Sequence, residues 1–137
     1  MRYLYCKKCN EFYIGKHVID EICPKIFCLT PLVEIDENMV VPIKILNSKG
    51  YKTAYCCSGH IERTIFGGYI AFKAGVPIPD TAPKGWSWDN RVLEDGQHCI
   101  RWHFNKGMSS IEKTKMIFKK TEELIKWCEE LPNVEED

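Results

Sequence analysis

Four cysteines in the first 28 residues constrain this chain more than any other feature of its sequence. They form two close pairs, Cys6 with Cys9 and Cys23 with Cys28, and the whole chain has only eight cysteines. Each pair can place two thiolates on one turn, and the short connection between the pairs can bring the turns together around a tetrahedral ion. The spacing predicts a metal site with four thiolate ligands, and zinc suits such a set best.

The segment that carries these cysteines resembles a zinc ribbon. Residues 3–5 and 11–14 are rich in β-prone side chains, and Cys23 is followed by Pro24, as at the usual start of a ribbon turn. The resemblance implies that hairpin turns present the thiolates, with Asn10 where ribbons often have glycine at positive φ. The gap from Cys23 to Cys28 is longer than usual, so we expect an irregular second turn. His17 is the alternative ligand, in place of Cys23 or Cys28.

Composition limits the class of protein. The chain has 19 basic and 19 acidic residues, so no global positive field draws it onto nucleic acid or an anionic membrane. The start has no apolar run typical of a signal peptide, and no later stretch matches a membrane span. We therefore expect a cytoplasmic protein whose thiols are reduced, with a disulfide framework as the less favoured alternative.

The sequence predicts two parts, a zinc-ribbon module at residues 1–34 and a small α+β domain at residues 35–137. A first helix would begin near Asp36 or Asn38, either of which can cap it, and would end at Gly50. A long final helix would begin with a capping box of Ser109 and Glu112. The predicted strands of a mainly antiparallel sheet lie between these helices, at residues 51–57, 68–73 and 98–104.

The connection at residues 74–97 is unusually long for a compact domain. Loops of this length usually close over a site or bind a ligand, and this one contains Trp86 and Trp88. Two interpretations stay open at this point. The indole rings either cover the hydrophobic core or stack on a bound ligand.

A second cluster of reactive side chains ends the first predicted strand of the α+β domain. Cys57, Ser58 and His60 place a thiol, a hydroxyl and an imidazole within four residues, as in a nucleophile with its base. The alternative is a buried pair of cysteines, Cys56 and Cys57, with a surface histidine. A second metal site could instead use Cys57, His60, His98 or His103, but His98 and His103 would face opposite sides of a regular strand.

Residues 49–60 are similar to a motif of the wybutosine-synthesis tRNA methyltransferase family. The similarity lies in Lys49-Gly50-Tyr51, in Thr53 and in the turn Cys57-Ser58-Gly59, while Cys56 and His60 stand where that family has serine and arginine. The resemblance implies an enzyme that modifies RNA. No glycine-rich nucleotide fingerprint accompanies the motif.

Two functions from different classes follow. The first is a small zinc protein whose ribbon and tryptophan-containing loop recognise a protein or a nucleic acid. With basic side chains and aromatic rings interleaved in the ribbon, contacts to nucleic acid by stacking and phosphate binding are conceivable, although such rings more often form a small core. The second is an enzyme acting on nucleic acid or a small molecule, with Cys57, Ser58 and His60 at its site and the tryptophans closing over it.

Overall fold

The computed structural model describes residues 2–15, 21–89 and 96–135 and has an α+β architecture. Two antiparallel sheets, one of three strands and one of four, pack with two α-helices. The predicted fold class is therefore confirmed. His17 lies outside the described residues, and so does part of the predicted loop, at residues 90–95. Among the described helices, none combines the length and the apolar character that crossing a membrane requires.

The first sheet contains the ribbon. Strands β1 (Tyr3–Cys6) and β2 (Glu11–Ile14) form a hairpin, and β3 (Val33–Ile35) pairs with the other edge of β1. The hairpin matches the predicted β-prone segments on both sides of the first cysteine pair. Strand β3 was not predicted, because a three-residue strand is too short to show an alternating pattern.

A 3-10 turn at Glu37–Met39 leads into helix α1 (Val40–Ser48). Pro42 falls in the first turn, where its missing N–H removes no helical hydrogen bond, and Gly50 follows the helix at a φ of 99°. The predicted cap is wrong for Asp36, whose side chain makes no capping bond to the helix. Its carboxylate instead accepts two hydrogen bonds from Ser58.

The second sheet has the strand order β4-β5-β7-β6. Its strands are β4 (Thr53–Cys57), β5 (Phe66–Phe72), β6 (Ser87–Trp88) and β7 (His98–His103). All neighbouring strands are antiparallel, and β5 has the central position that its apolar sequence predicts. The short edge strand β6 lies within the segment that the sequence suggested was a long loop.

Helix α2 (Ser110–Glu130) begins with the predicted capping box of Ser109 and Glu112. Its buried residues are Thr121, Leu124, Trp127 and Cys128, which recur at the spacing of one helical face. Leu124 belongs to the same core as Ile70 of β5 and Ile100 of β7. Helix α2 therefore covers one face of the second sheet and leaves the other face to form a surface.

The ribbon is anchored to this domain through Asn10. Its side-chain amide donates to Ser48 Oγ at 2.8 Å and to the Lys44 carbonyl at 3.3 Å, and Lys44 Nζ donates to the Asn10 carbonyl at 2.9 Å. Tyr5 of β1 is almost fully buried in the main core, where it contacts the ring of Phe12 at 4.6 Å. The aromatic rings of the ribbon thus help to pack it against α1. The proposed boundary at residue 34 stays a prediction.

Candidate functional site

The four ribbon cysteines converge, and their sulfur atoms all lie within 4.8 Å of one another. The distances are 3.7 Å between Cys6 and Cys28, 3.5 Å between Cys9 and Cys28, and 4.0 Å between Cys9 and Cys23. A zinc ion with four sulfur ligands at about 2.3 Å requires sulfur atoms about 3.8 Å apart. The observed separations lie on both sides of that value, so the four thiols can hold one tetrahedral metal ion.

The first turn of this metal centre has the geometry that the ribbon resemblance implies. Cys6 ends β1, the amide of Cys9 donates to Cys6 Sγ at 3.4 Å, and the amide of Asn10 donates to the Cys6 carbonyl at 2.8 Å. Asn10 has a φ of 55°, in the left-handed region that glycine and asparagine tolerate best. The predicted role of Asn10 as the substitute for glycine is confirmed.

The second turn is irregular, as expected from its longer gap. It closes through hydrogen bonds from the Cys28 amide to the Lys25 carbonyl and from the Cys23 amide to the Thr30 carbonyl. Phe27 and Leu29 have φ values of 66° and 51°, which is unusual for residues of this size. Three large apolar side chains at this turn face solvent, and we refer to them together as the ribbon tip: Ile26, Phe27 and Leu29.

The thiols differ in their electrostatic environment. Hydrogen bonds with the side chain and the backbone of Thr30 lower the pKa of Cys28 to about 6. Cys9 has its pKa raised to about 12, chiefly by its hydrogen bond with Cys28 and then by burial. As the pH rises, Cys28 therefore loses its proton before Cys9 does. A cation bound among the four sulfur atoms would compensate the resulting negative charge.

A second cluster brings together Asp36, Cys57 and His60, with one potential ligand atom from each within 4.8 Å of the others. Asp36 follows β3, Cys57 ends β4, and His60 lies in the next turn. Ser58 joins the cluster through Asp36 Oδ2, to which its amide donates at 2.9 Å and its hydroxyl at 3.0 Å. The structure thus places the three sequence-predicted residues, Cys57, Ser58 and His60, beside a carboxylate that sequence reasoning assigned to a helix cap.

The predicted catalytic roles of these residues stay predictions. Burial is the main cause that raises the pKa of the Cys57 thiol, with further contributions from nearby acidic groups. A thiol in that environment is a weak nucleophile unless a positive charge offsets the loss of hydration. His98 and His103 are not members of the cluster.

Both loop tryptophans pack against protein. Trp86 is buried, meets Trp102 edge-on at 6.5 Å and donates its indole N–H to the Lys120 carbonyl. Trp88 lies 5.6 Å from the ring of Phe72 and donates to the Thr81 carbonyl. Of the two interpretations of these rings, the structure agrees with coverage of the core.

The face of the second sheet that is turned away from α2 carries a cavity of about 260 Å³. We call it the sheet groove, and its aromatic and cationic lining includes Tyr55, Arg63, Phe66, Tyr69, Arg101 and His103. Tyr55 and Phe66 are about half exposed. Sequence reasoning missed this site, because its lining comes from three strands and from the connection between β4 and β5.

Arg101 is the most constrained cation of the sheet groove. Its Nη2 lies 3.3 Å from Asp89 Oδ2, while its Nε is buried and has no hydrogen-bond partner among the residues that the structure describes. Buried donors without a partner are rare in folded proteins, where water or an ion commonly completes their hydrogen bonding. The groove therefore combines rings for stacking with the guanidinium groups of Arg63 and Arg101.

Residues 49–51, which carry part of the resemblance to the wybutosine-synthesis family, have structural roles here. Lys49 Nζ donates to the carbonyls of Cys128, Glu129 and Leu131, at the end of α2 that lacks basic residues of its own. Tyr51 donates its hydroxyl to the Pro132 carbonyl at 2.7 Å. These contacts hold the end of α2 and explain this part of the motif without a substrate.

Comparisons with protein-family models, with curated proteins and with solved structures find no match to this chain. The two resemblances noted in the sequence therefore stay expectations as far as family membership is concerned. The function has to be inferred from the chemistry of three sites: the four-cysteine cluster, the cluster at Asp36 and the sheet groove.

Proposed function

We propose that this protein is a zinc-stabilised binding protein that holds a single-stranded nucleic acid in the sheet groove. The observation that carries the proposal is the combination of exposed aromatic rings with Arg63 and Arg101 in one cavity. The sequence suggested that the tryptophan-containing loop recognises the ligand. Because Trp86 and Trp88 pack against protein, we assign recognition to the sheet groove instead.

Zinc is the metal that best suits the ribbon. It has no geometric preference of its own and accepts four thiolates in a tetrahedron, the arrangement that the sulfur separations of 3.5 to 4.0 Å support. Four thiolates leave no coordination position for a substrate. The proposed role of this zinc ion is therefore to hold the two turns together and to stabilise the small first sheet.

The chemistry of the sheet groove suits bases and phosphates. Each base that stacks on an aromatic side chain contributes about 1–3 kcal/mol, whatever its identity. Tyr55 and Phe66 have rings exposed enough to be stacked upon, and the guanidinium of Arg63 can bind a phosphate. Since the chain has no net charge, the proposed binding is local and weak in the absence of stacking.

Fluorescence anisotropy with labelled oligouridine and oligodeoxythymidine tests this proposal. Phe66→Ala removes a stacking ring and is expected to weaken binding by roughly 5- to 150-fold, the equivalent of one lost stack. Phe118→Ala is the matched control, because Phe118 is similarly exposed but lies on α2. Equal affinities for the wild type and both variants would exclude the groove as the binding surface.

A charge substitution separates phosphate contacts from stacking. Arg63→Gln should reduce the slope of log affinity against log salt by about 0.7 for single strands, with little change in stability because Arg63 is exposed. Lys119→Gln, at an exposed position of α2, serves as its control. An unchanged slope for Arg63→Gln would contradict the proposed phosphate contact.

Protein recognition by the ribbon tip is the second candidate. Ile26, Phe27 and Leu29 are 84%, 92% and 71% exposed, an unusual concentration of apolar surface within four residues. If this tip binds a second copy of the chain, sedimentation velocity should show association that depends on concentration and that Phe27→Ser abolishes. A monomer at every concentration would exclude self-association, and loss of oligonucleotide binding in Phe27→Ser would shift recognition of nucleic acid to the ribbon.

A further inference from the structure

The cluster at the end of β4 has the composition of a metal site of a different kind from the ribbon. Asp36, Cys57 and His60 offer one oxygen, one sulfur and one nitrogen ligand, all within 4.8 Å of one another. Cys57 is buried, while Asp36 and His60 are half-buried. Zinc accepts all three ligand types, and three protein ligands with a fourth, open position form the usual arrangement of catalytic zinc.

The local chain holds these three residues in place. Ser58 fixes the Asp36 carboxylate with two hydrogen bonds to one oxygen, Oδ2, which leaves Oδ1 as the oxygen able to bind a metal ion without losing them. Metal ligands are commonly supported by such hydrogen bonds from neighbouring groups. Ser58 therefore has a positioning role for Asp36.

Gly59 brings Cys57 and His60 close together. Its φ is 104°, a conformation that side chains disfavour, and a Cβ at this position would come within 3.1 Å of Trp102. The turn is therefore packed tightly on the buried indole of Trp102. As a result, the separation between Cys57 and His60 is set by the core of the protein and does not depend on a mobile loop.

We propose that Asp36, Cys57 and His60 bind a second divalent metal ion, with zinc as the natural occupant and an open coordination position for water or a phosphate oxygen. This assignment does not depend on the proposed binding of nucleic acid. It also replaces the alternative that the sequence suggested, because His98 and His103 are absent from the cluster and Asp36 supplies the third ligand.

The proposed site borders the sheet groove. Cys57 is the partner of Tyr69 in the ladder between β4 and β5, and Tyr69 lines the groove. Residues opposite one another in a ladder project on the same face of a sheet. An ion held by Cys57 would therefore lie at the margin of the groove, where an oxygen ligand from a bound phosphate could reach its open position.

Metal content distinguishes this proposal from a single structural zinc site. Protein reconstituted with excess zinc and then passed over a desalting column should contain two zinc ions per chain by mass spectrometry of the metal. His60→Ala should contain one, because removal of a ligand is expected to weaken the second site by more than about 100-fold, the upper range for the loss of a supporting group. His103→Ala is the control and should retain two, since His103 is exposed and outside the cluster.

The absorption spectrum of cobalt-loaded protein shows which of the two sites a variant has lost. Filling the ribbon gives the strong thiolate-to-cobalt absorption of four sulfur ligands, and the second equivalent should add a weaker band from one sulfur ligand. Cys57→Ser should lose the weaker band and keep the strong one, which also shows that the variant is folded at its ribbon. Ser58→Ala should keep both bands but bind the second equivalent roughly 10- to 100-fold more weakly.

Two results would overturn the assignment. One is a wild-type protein that binds a single zinc ion and shows no second cobalt band at any metal concentration below its precipitation. The other is a His60→Ala variant that keeps both ions with unchanged affinity. These experiments measure metal binding alone. A failure to bind oligonucleotides would therefore leave the second metal site standing, and absence of that site would leave the proposed binding of nucleic acid standing.

Discussion

The two clusters of potential metal ligands in this protein differ in how the chain assembles them. The ribbon takes its four thiols from two local turns, at Cys6 to Cys9 and Cys23 to Cys28, and all four sulfur atoms lie within 4.8 Å of one another. The second cluster joins the end of β3 to the end of β4, where Asp36 meets Cys57 and His60. A site built from local turns is visible in a sequence, whereas a site built between sheets depends on the packing of the whole domain.

The clusters differ in chemistry as well. Four thiolates fill a tetrahedron and suit an ion that stabilises the fold, while three mixed ligands leave room for a fourth. Substitutions at the two clusters and at the contacts that support them should therefore have different effects.

Cys9→Ala should have the largest effect. The ribbon buries little apolar surface of its own, so the energy of metal binding, roughly 10 kcal/mol or more in small zinc modules, serves as its folding energy. We expect the variant to lose the ribbon metal and the ordered amide signals of β1 and β2 in nuclear magnetic resonance spectra. Cys99→Ala, which changes a buried cysteine outside both clusters, is its control. Full retention of the ribbon metal in Cys9→Ala would show that the ligand set is wrong.

Leu124→Ala should affect the assembled cluster more than the local one. Leu124 is fully buried between α2 and the second sheet, and its truncation should reduce the free energy of unfolding by about 2–5 kcal/mol. Urea unfolding followed by tryptophan fluorescence measures this loss, with the exposed Ile111→Ala as control. We expect the second metal ion to be released at a lower urea concentration than the ribbon ion. Release in the opposite order would break the distinction between the two clusters.

Asn10 tests the anchoring of the ribbon to α1. Asn10→Gly keeps the left-handed backbone but loses the side-chain bonds to Ser48 and Lys44, at a cost of about 0.5–1.5 kcal/mol for each net hydrogen bond. Asn10→Ala should cost roughly 1–2 kcal/mol more, because alanine disfavours the φ of 55°. Thermal unfolding of the metal-loaded variants measures the difference. Equal stability of the two variants would mean that backbone conformation at this turn is unimportant.

Thr30→Val should have the smallest effect, on the pH dependence of the ribbon. Thr30 lowers the pKa of Cys28 to about 6, chiefly through its side chain, so the thiolate persists at neutral pH without metal. Removal of the hydroxyl raises that pKa, protons compete with the metal at higher pH, and the midpoint of metal release on acidification should move upward. Affinity at neutral pH should fall by roughly 10-fold. Thr114→Val, on exposed α2, should leave the midpoint unchanged.

Much of the fold could be predicted because its signals are local. The capping box at Ser109 and the stop at Gly50 depend on neighbouring residues alone. The strands β3 and β6 were missed because two or three residues carry no periodic pattern. Asp36 was misassigned because an aspartate at this position is a reasonable helix cap by local rules. Only the structure shows that its carboxylate accepts a hydrogen bond from Ser58 instead.

The four-cysteine cluster of the ribbon could be predicted from the sequence, because each of its two short turns fixes a pair of thiols within a few residues. The class of the fold could be predicted as well, since hydrophobic periodicity depends on each element alone. Three arrangements follow from tertiary packing alone: Trp86 and Trp88 pack against protein, Asp36 meets Cys57 and His60, and Arg101 lines a groove with exposed rings. These arrangements depend on which faces of separate strands and helices meet, and no local pattern in the chain specifies them.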